Sequence, residues 1–142
     1  MKIRGTGKSE TLVGSSGTDL IDGGAGNDVI IGGVGNDTLT GGRGADTFVF
    51  GDRSQFDVIT DFNAAEGDQI VFGSDAFGAQ SLYSGQLYDG LTFQVGGSTC
   101  TVGCIDINSD GVMDTQITFN GNNVFLLGYS PDQVSSSSLW LG

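Results

Sequence analysis

From Gly5 onward the chain repeats itself every nine residues, five times over. Three copies read Gly-Gly-x-Gly-x-Asp-x-apolar-x: Gly23 to Ile31, Gly32 to Thr40 and Gly41 to Val49. Two degenerate copies precede them, Gly5 to Val13 with Glu10 in the acidic slot and Gly14 to Asp22 with Asp19 there. A short fixed period means that one unit cannot bury an apolar face alone, so units must stack on their neighbours. Six turn-forming residues followed by three strand-forming ones make half a coil. Two units then make an 18-residue coil, and alternate units stack as parallel strands about 4.8 Å apart. Position 8 is always apolar, as Leu12, Ile21, Ile30, Leu39 and Phe48. These side chains face each other across two sheets and form a thin core. Glycines at positions 1, 2 and 4 are read as tolerating positive φ, which lets backbone carbonyls curl toward one point.

Stacking has an electrostatic consequence. The register lines Glu10, Asp28 and Asp46 along one edge, and Asp19 and Asp37 along the other. Two carboxylates about 4.8 Å apart repel by roughly 3–4 kcal/mol at an effective dielectric of 20. Domains are normally stable by only about 5–15 kcal/mol, so the metal-free coil is expected to be unfolded or nearly so. A cation between successive turns removes the repulsion. Ligands that are all oxygen favour Ca²⁺ over zinc or copper, and Mg²⁺ holds its waters too tightly. Three stacked pairs follow: Glu10 with Asp28, Asp19 with Asp37, and Asp28 with Asp46. The last two are expected to bind best, because the first has Lys8 in a glycine position and a longer carboxylate.

Charge and composition narrow the function. Acidic residues outnumber basic ones 17 to 5, for a net charge of −12, which leaves no basic face for nucleic acid. Histidine is absent, removing the commonest general base and zinc ligand. HExxH and GxSxG are absent too, so catalysis by this chain is not expected. A carboxylate pair among Asp57, Asp61 and Asp68 is the one enzymatic arrangement left open. No apolar run reaches the length of a membrane span, and residues 1–5 lack the apolar stretch of an N-terminal secretory signal. Position 9 reads Val13, Ile31 and Val49 on one sheet but Asp22 and Thr40 on the other. The apolar stripe is expected to be covered by protein and the opposite sheet to face water.

After Val49 the period stops, and the rest reads as short strands between glycine- and asparagine-rich turns. Asp106-Ile-Asn108-Ser-Asp110-Gly111-Val-Met-Asp114 places oxygen-bearing residues at positions 1, 3, 5 and 9 with glycine at 6, like the front of an EF-hand loop. Position 12 is Ile117 and no helices flank it, so a plain hairpin turn is the alternative. Cys100 and Cys104 read either as two small hydrophobes in a strand or as a local disulfide, which needs residues 101–103 to turn.

The repeats, then Gly44-Ala-Asp46-Thr-Phe48-Val-Phe50, Asp57-x-Ile59-x-Asp61-Phe62 and Gly67-Asp68-x-Ile70, resemble the RTX family of haemolysin-type calcium-binding repeats. They look most like the C-terminal β-roll of serralysin-type proteases and the R-modules of mannuronan epimerases. The resemblance covers residues 5–72 specifically. It implies an all-β fold: a calcium-bound parallel β-roll over residues 5–49, then a capping antiparallel β-sandwich region over 50–142. It implies carbonyl ligands from Gly23, Gly24, Gly26, Gly32, Gly33 and Gly35, with Gly41, Gly42 and Gly44 in the same roles, beside Asp28, Asp37 and Asp46. Asp57 and Asp68 are implied as ligands beside the last coil. It further implies export by type I secretion machinery, directed by an uncleaved C-terminal segment. The expected function is a non-catalytic calcium module of a larger secreted, extracellular protein, whose enzymatic half lies upstream. The alternatives are an accessory module that helps an epimerase-like enzyme hold polysaccharide, and an adhesin or surface-layer fragment.

Overall fold

The computed structural model describes residues 1–51, 56–72, 80–81, 92–95, 98–119, 122–128 and 139–141. All regular structure among them is β. Eight strands form the coil: β1 (Lys2–Arg4), β2 (Thr11–Val13), β3 (Leu20–Asp22), β4 (Val29–Ile31), β5 (Thr38–Thr40), β6 (Thr47–Phe50), β7 (Phe56–Ile59) and β8 (Gln69–Phe72). Odd strands pair in parallel in sheet A and even strands in sheet B. Leu12 therefore lies beside Ile30, and Ile30 beside Phe48, one 18-residue coil apart. Ile21, Ile30, Leu39 and Phe48 are fully buried between the sheets, as the position-8 pattern requires.

Two features extend the coil beyond the five repeats. Ile3 pairs with Ile21 and packs against the core, so β1 is the second half of a sixth unit. Nine residues back from Leu12 lands on Ile3, a signal that the glycine pattern hid. At the other end, parallel pairing outlasts the period: Leu39 lies beside Ile59 and Phe48 beside Ile70. The spacing there becomes 20 and 22 residues, because the intervening connections are longer.

The antiparallel region is built onto the same two sheets. β10 (Thr92–Val95), β11 (Ser98–Ile105), β12 (Asp114–Phe119) and β13 (Asn122–Leu126) extend sheet A, with β13 parallel to β7 and the others antiparallel in sequence. β9 (Gln80–Ser81) and β14 (Leu139–Leu141) extend sheet B, with β14 parallel to β8. An aromatic cluster fills the widening core where coil meets cap. Phe50 lies 6.0 Å from Phe72, and Phe72 lies 5.2 Å from Phe119, centroid to centroid.

The position-9 stripe behaves differently from expectation. Val13 is 54% exposed, Ile31 is half-buried and Val49 is 3% exposed. Cover over the outer face of sheet B thus increases toward the cap, and the first coil leaves Val13 largely in water. Cys100 and Cys104 sit in the continuous strand β11, opposite Phe119 and Thr115. A straight strand holds such residues about 13 Å apart, beyond disulfide reach. Burial pushes the Cys100 thiol up to about 12.

Candidate metal centre

The turns joining the strands stack into two columns. Residues 5–10, 23–28, 41–46 and 60–68 form one; residues 14–19 and 32–37, with Asp57 next to Asp37, form the other. In each column the acidic side chains make a ladder. The backbone N–H of Glu10 donates to Asp28 Oδ1 at 2.8 Å, that of Asp28 to Asp46 Oδ1 at 2.9 Å, and that of Asp46 to Asp68 Oδ1 at 2.9 Å. In the second column Asp19 N–H donates to Asp37 Oδ1 and Asp37 N–H to Asp57 Oδ1, both at 2.9 Å. One oxygen of each lower carboxylate is thus bonded across the coil step. This amide ladder, which the repeat pattern does not announce, offsets part of the repulsion between stacked acids.

The second oxygen separates two kinds of turn. In the three consensus turns, Oδ2 of Asp28, Asp37 and Asp46 is buried with no hydrogen-bond donor. In the degenerate turns it is satisfied locally: Thr6 N–H donates to Glu10 Oε2 at 2.6 Å, and Ser15 N–H donates to Asp19 Oδ2 at 2.5 Å. The Ser15 hydroxyl adds a bond of 2.9 Å, and the amino terminus of Met1 sits 2.7 Å from Asp19 Oδ1. The acid–base behaviour follows. Burial first, then the neighbouring carboxylate, pushes Asp28, Asp37 and Asp46 up, against the pull of the ladder amide. Burial pushes Asp68 up to about 6. Asp19 goes the other way, held down first by the amino terminus and then by Ser15.

Glycine placement shows what the consensus turns make room for. Positions 2 and 4 (Gly24, Gly26, Gly33, Gly35, Gly42 and Gly44) have φ between 96° and 135°, as the sequence suggested. Position 1 does not share that conformation and is glycine for another reason. A Cβ on Gly23 would lie 2.6 Å from Asp28 Oδ2, and one on Gly32 would lie 2.5 Å from Asp37 Oδ2. Gly41 stands in the same relation to Asp46. Carbonyls face the gaps between turns from both sides. Those of Gly24 and Gly26 abut Gly42 and Gly44 in the next coil, while those of Gly23, Gly32 and Gly41 abut Gly5, Gly14 and Gly23 in the coil before.

Among the described residues no three acidic, histidine or cysteine side chains converge. Carboxylates alone do not make a seat, so backbone carbonyls must complete one. Buried anionic oxygens without donors, all-oxygen surroundings and glycine at every point of close approach fit a hard cation of the calcium type. The RTX calcium-binding nonapeptide repeat (4 copies) matches residues 4–39 and, overlapping, 22–52. Residues 4–52 are an RTX repeat array. No curated protein sequence matches the chain. Among solved structures, the RTX array and its cap are similar to the AlgE6R3 subunit of the Azotobacter vinelandii mannuronan C5-epimerase. Identity is 26% and the TM-score 0.51, over 95% of this chain and 79% of that one. The AlgE6R2 subunit of the same enzyme shares the fold at 24% identity and a TM-score of 0.52, over 98% and 91% of the two chains. A third likeness is to extracellular lipase LipA of Serratia marcescens: 23% identity, TM-score 0.49, 97% of this chain and 20% of that one.

The 106–114 segment joins β11 to β12. Asp106 accepts the amides of Asp110 and Gly111 at 3.1 and 2.9 Å, Asn108 Oδ1 accepts Asp110 N–H at 3.2 Å, and Asp110 Oδ1 accepts Val112 N–H at 2.8 Å. Asp114 is fully buried and holds Ile107 N–H at 3.0 Å and Gly128 N–H at 2.6 Å. The segment's side-chain oxygens are thus engaged by amides of the hairpin and of the neighbouring turn. The C-terminal segment expected to direct export lies outside the described residues except for the backbone of β14.

Proposed function

We propose that this chain is a non-catalytic module that folds on calcium outside the cell and supports the secretion and stability of a larger exported protein. The observation that carries it is the contrast within one stack: consensus turns bury a bare carboxylate oxygen, and degenerate turns do not. Asp28, Asp37 and Asp46, with position-1, -2 and -4 carbonyls, are the proposed ligands, and Asp57 and Asp68 extend the two columns. Extracellular calcium modules bind at about 10⁻⁴–10⁻³ M, so such seats stay empty in the cytosol and fill after export. Circular dichroism should show most of the β signal lost in chelator and restored by calcium. Bound ions should be countable by mass spectrometry under native conditions. A full β signal with no ion bound would remove the basis of the reading.

A second reading is supported by the likeness to AlgE6R3 across most of both chains: an accessory module that helps a secreted enzyme hold polysaccharide. The net charge of −12 disfavours a polyanion unless calcium bridges it. Calorimetry with alginate and with a neutral glycan, each with and without calcium, separates the two readings. No heat in any arm leaves the first.

A further inference from the structure

We infer that Asp61, which the repeat pattern assigns no role, is a positioning residue for the calcium seat between the turns 23–28 and 41–46. The inference rests on the calcium reading above. In the upper coils the position-1 amide donates to a backbone carbonyl one coil below: Gly5 to Asp22, Gly14 to Ile31 and Gly23 to Thr40, at 2.7–2.8 Å. At Gly41 the pattern changes. The connection below it is irregular, closing through Glu66 N–H to Asn63 O and Gly67 N–H to Ala64 O, and Asp61 supplies the acceptor instead. Its Oδ1 takes Gly41 N–H at 2.9 Å and its Oδ2 takes Gly42 N–H at 2.8 Å.

The second bond fixes more than an amide. Gly42 N–H and Gly41 C=O belong to one peptide plane and point in opposite directions. Holding the N–H down on Asp61 aims the Gly41 carbonyl up at Gly23, into the gap that also receives the Gly24 and Gly26 carbonyls and the Asp46 carboxylate. Asp61 therefore orients one oxygen of the seat without joining the ligands.

Groups that hold a metal ligand in place typically cost about 10–100-fold in metal affinity when lost. Asp61→Asn keeps the shape but turns an NH₂ group toward one of the two glycine amides. In calcium titrations of the full chain, one binding step should weaken at least about tenfold while the others hold. Asp22→Asn, which removes an equal charge from a half-exposed side chain paired only loosely with Arg4, should leave every step unchanged. In carbon-detected NMR the calcium-induced shift of the Gly41 carbonyl should shrink in Asp61→Asn while that of Gly32 persists. A purely structural role would weaken all steps together and move both carbonyls. If Asp61→Asn does not fold in saturating calcium, the wild type decides. A scalar coupling between Gly42 nitrogen and the Asp61 carboxyl carbon supports the assignment, and its absence overturns it. Wild-type-like calcium steps in Asp61→Asn also overturn it, whereas a wild type that binds no calcium sinks the earlier reading instead.

Discussion

The turns 14–19 and 32–37 lie on the same edge, one coil apart, yet they treat the same carboxylate oppositely. In the first, Ser15 turns its amide and hydroxyl onto Asp19 Oδ2, and the amino terminus of Met1 sits on Oδ1, so both oxygens have donors. In the second, Gly33 adopts φ of 100°, and Asp37 keeps one buried oxygen without a donor. The acidic residue is common to both, so it is not what leaves a carboxylate oxygen bare. Position 2 decides, by choosing whether the turn offers a donor or a conformation only glycine takes comfortably. On the proposed reading, metal dependence is graded along the stack, with the consensus coils needing a cation more than the first coil, whose carboxylate oxygens already have donors.

The sharpest way to break this comparison is to neutralise each acid. Asp37→Asn keeps the acceptor for Asp19 N–H but removes the anionic oxygen. The calcium concentration at the folding midpoint should rise about 10–100-fold, the loss of one interaction with a charged group. Asp19→Asn should shift it less than about threefold. Equal shifts in the two variants would show that both turns use metal alike.

Next in size is the paired alanine test at position 4. Gly35 has φ of 135°, and a Cβ there would lie 2.7 Å from the Gly17 carbonyl oxygen. Gly35→Ala should cost about 2 kcal/mol or more in denaturant unfolding at saturating calcium. Gly17 occupies the same position in the degenerate turn, without a positive φ and with nothing within 4 Å of a Cβ. Gly17→Ala should stay within about 1 kcal/mol of wild type, on either side. A large loss at Gly17 would mean the two turns share a conformation.

The smallest expected effect sharpens the account of the first coil. Ser15→Ala removes the hydroxyl bonds to Asp19 and leaves the amide bond, so it should cost about 1 kcal/mol. The loss should not change when calcium is raised tenfold, as measured by thermal unfolding. A loss that added calcium repairs would place a metal at Asp19 after all.

The repeat made much of this readable in advance. Position 8 named Ile21, Ile30, Leu39 and Phe48 as core, and the 18-residue coil paired Asp28 with Asp46 and Asp19 with Asp37. Where the period lapsed, reading stopped. The family resemblance, not the spacing, pointed to Asp57 and Asp68, whose offsets of 20 and 22 residues depend on how the longer connections fold. The reason for glycine at position 1 lies outside the local pattern, because φ is a local property but the approach of Asp28 Oδ2 to Gly23 is a contact. Asp61 was invisible as a structural element for the same reason: its partners lie 20 and 19 residues away in another coil.

The nine-residue period by itself determined the parallel coil, its inward apolar ladder and the alignment of its acids, because a repeated local geometry has one way to stack. Tertiary structure decided which carboxylate oxygens find donors, which peptide planes are pinned, and how far the outer stripe is covered. Those outcomes depend on what lies one coil away, and a residue's own neighbours in sequence do not carry that information.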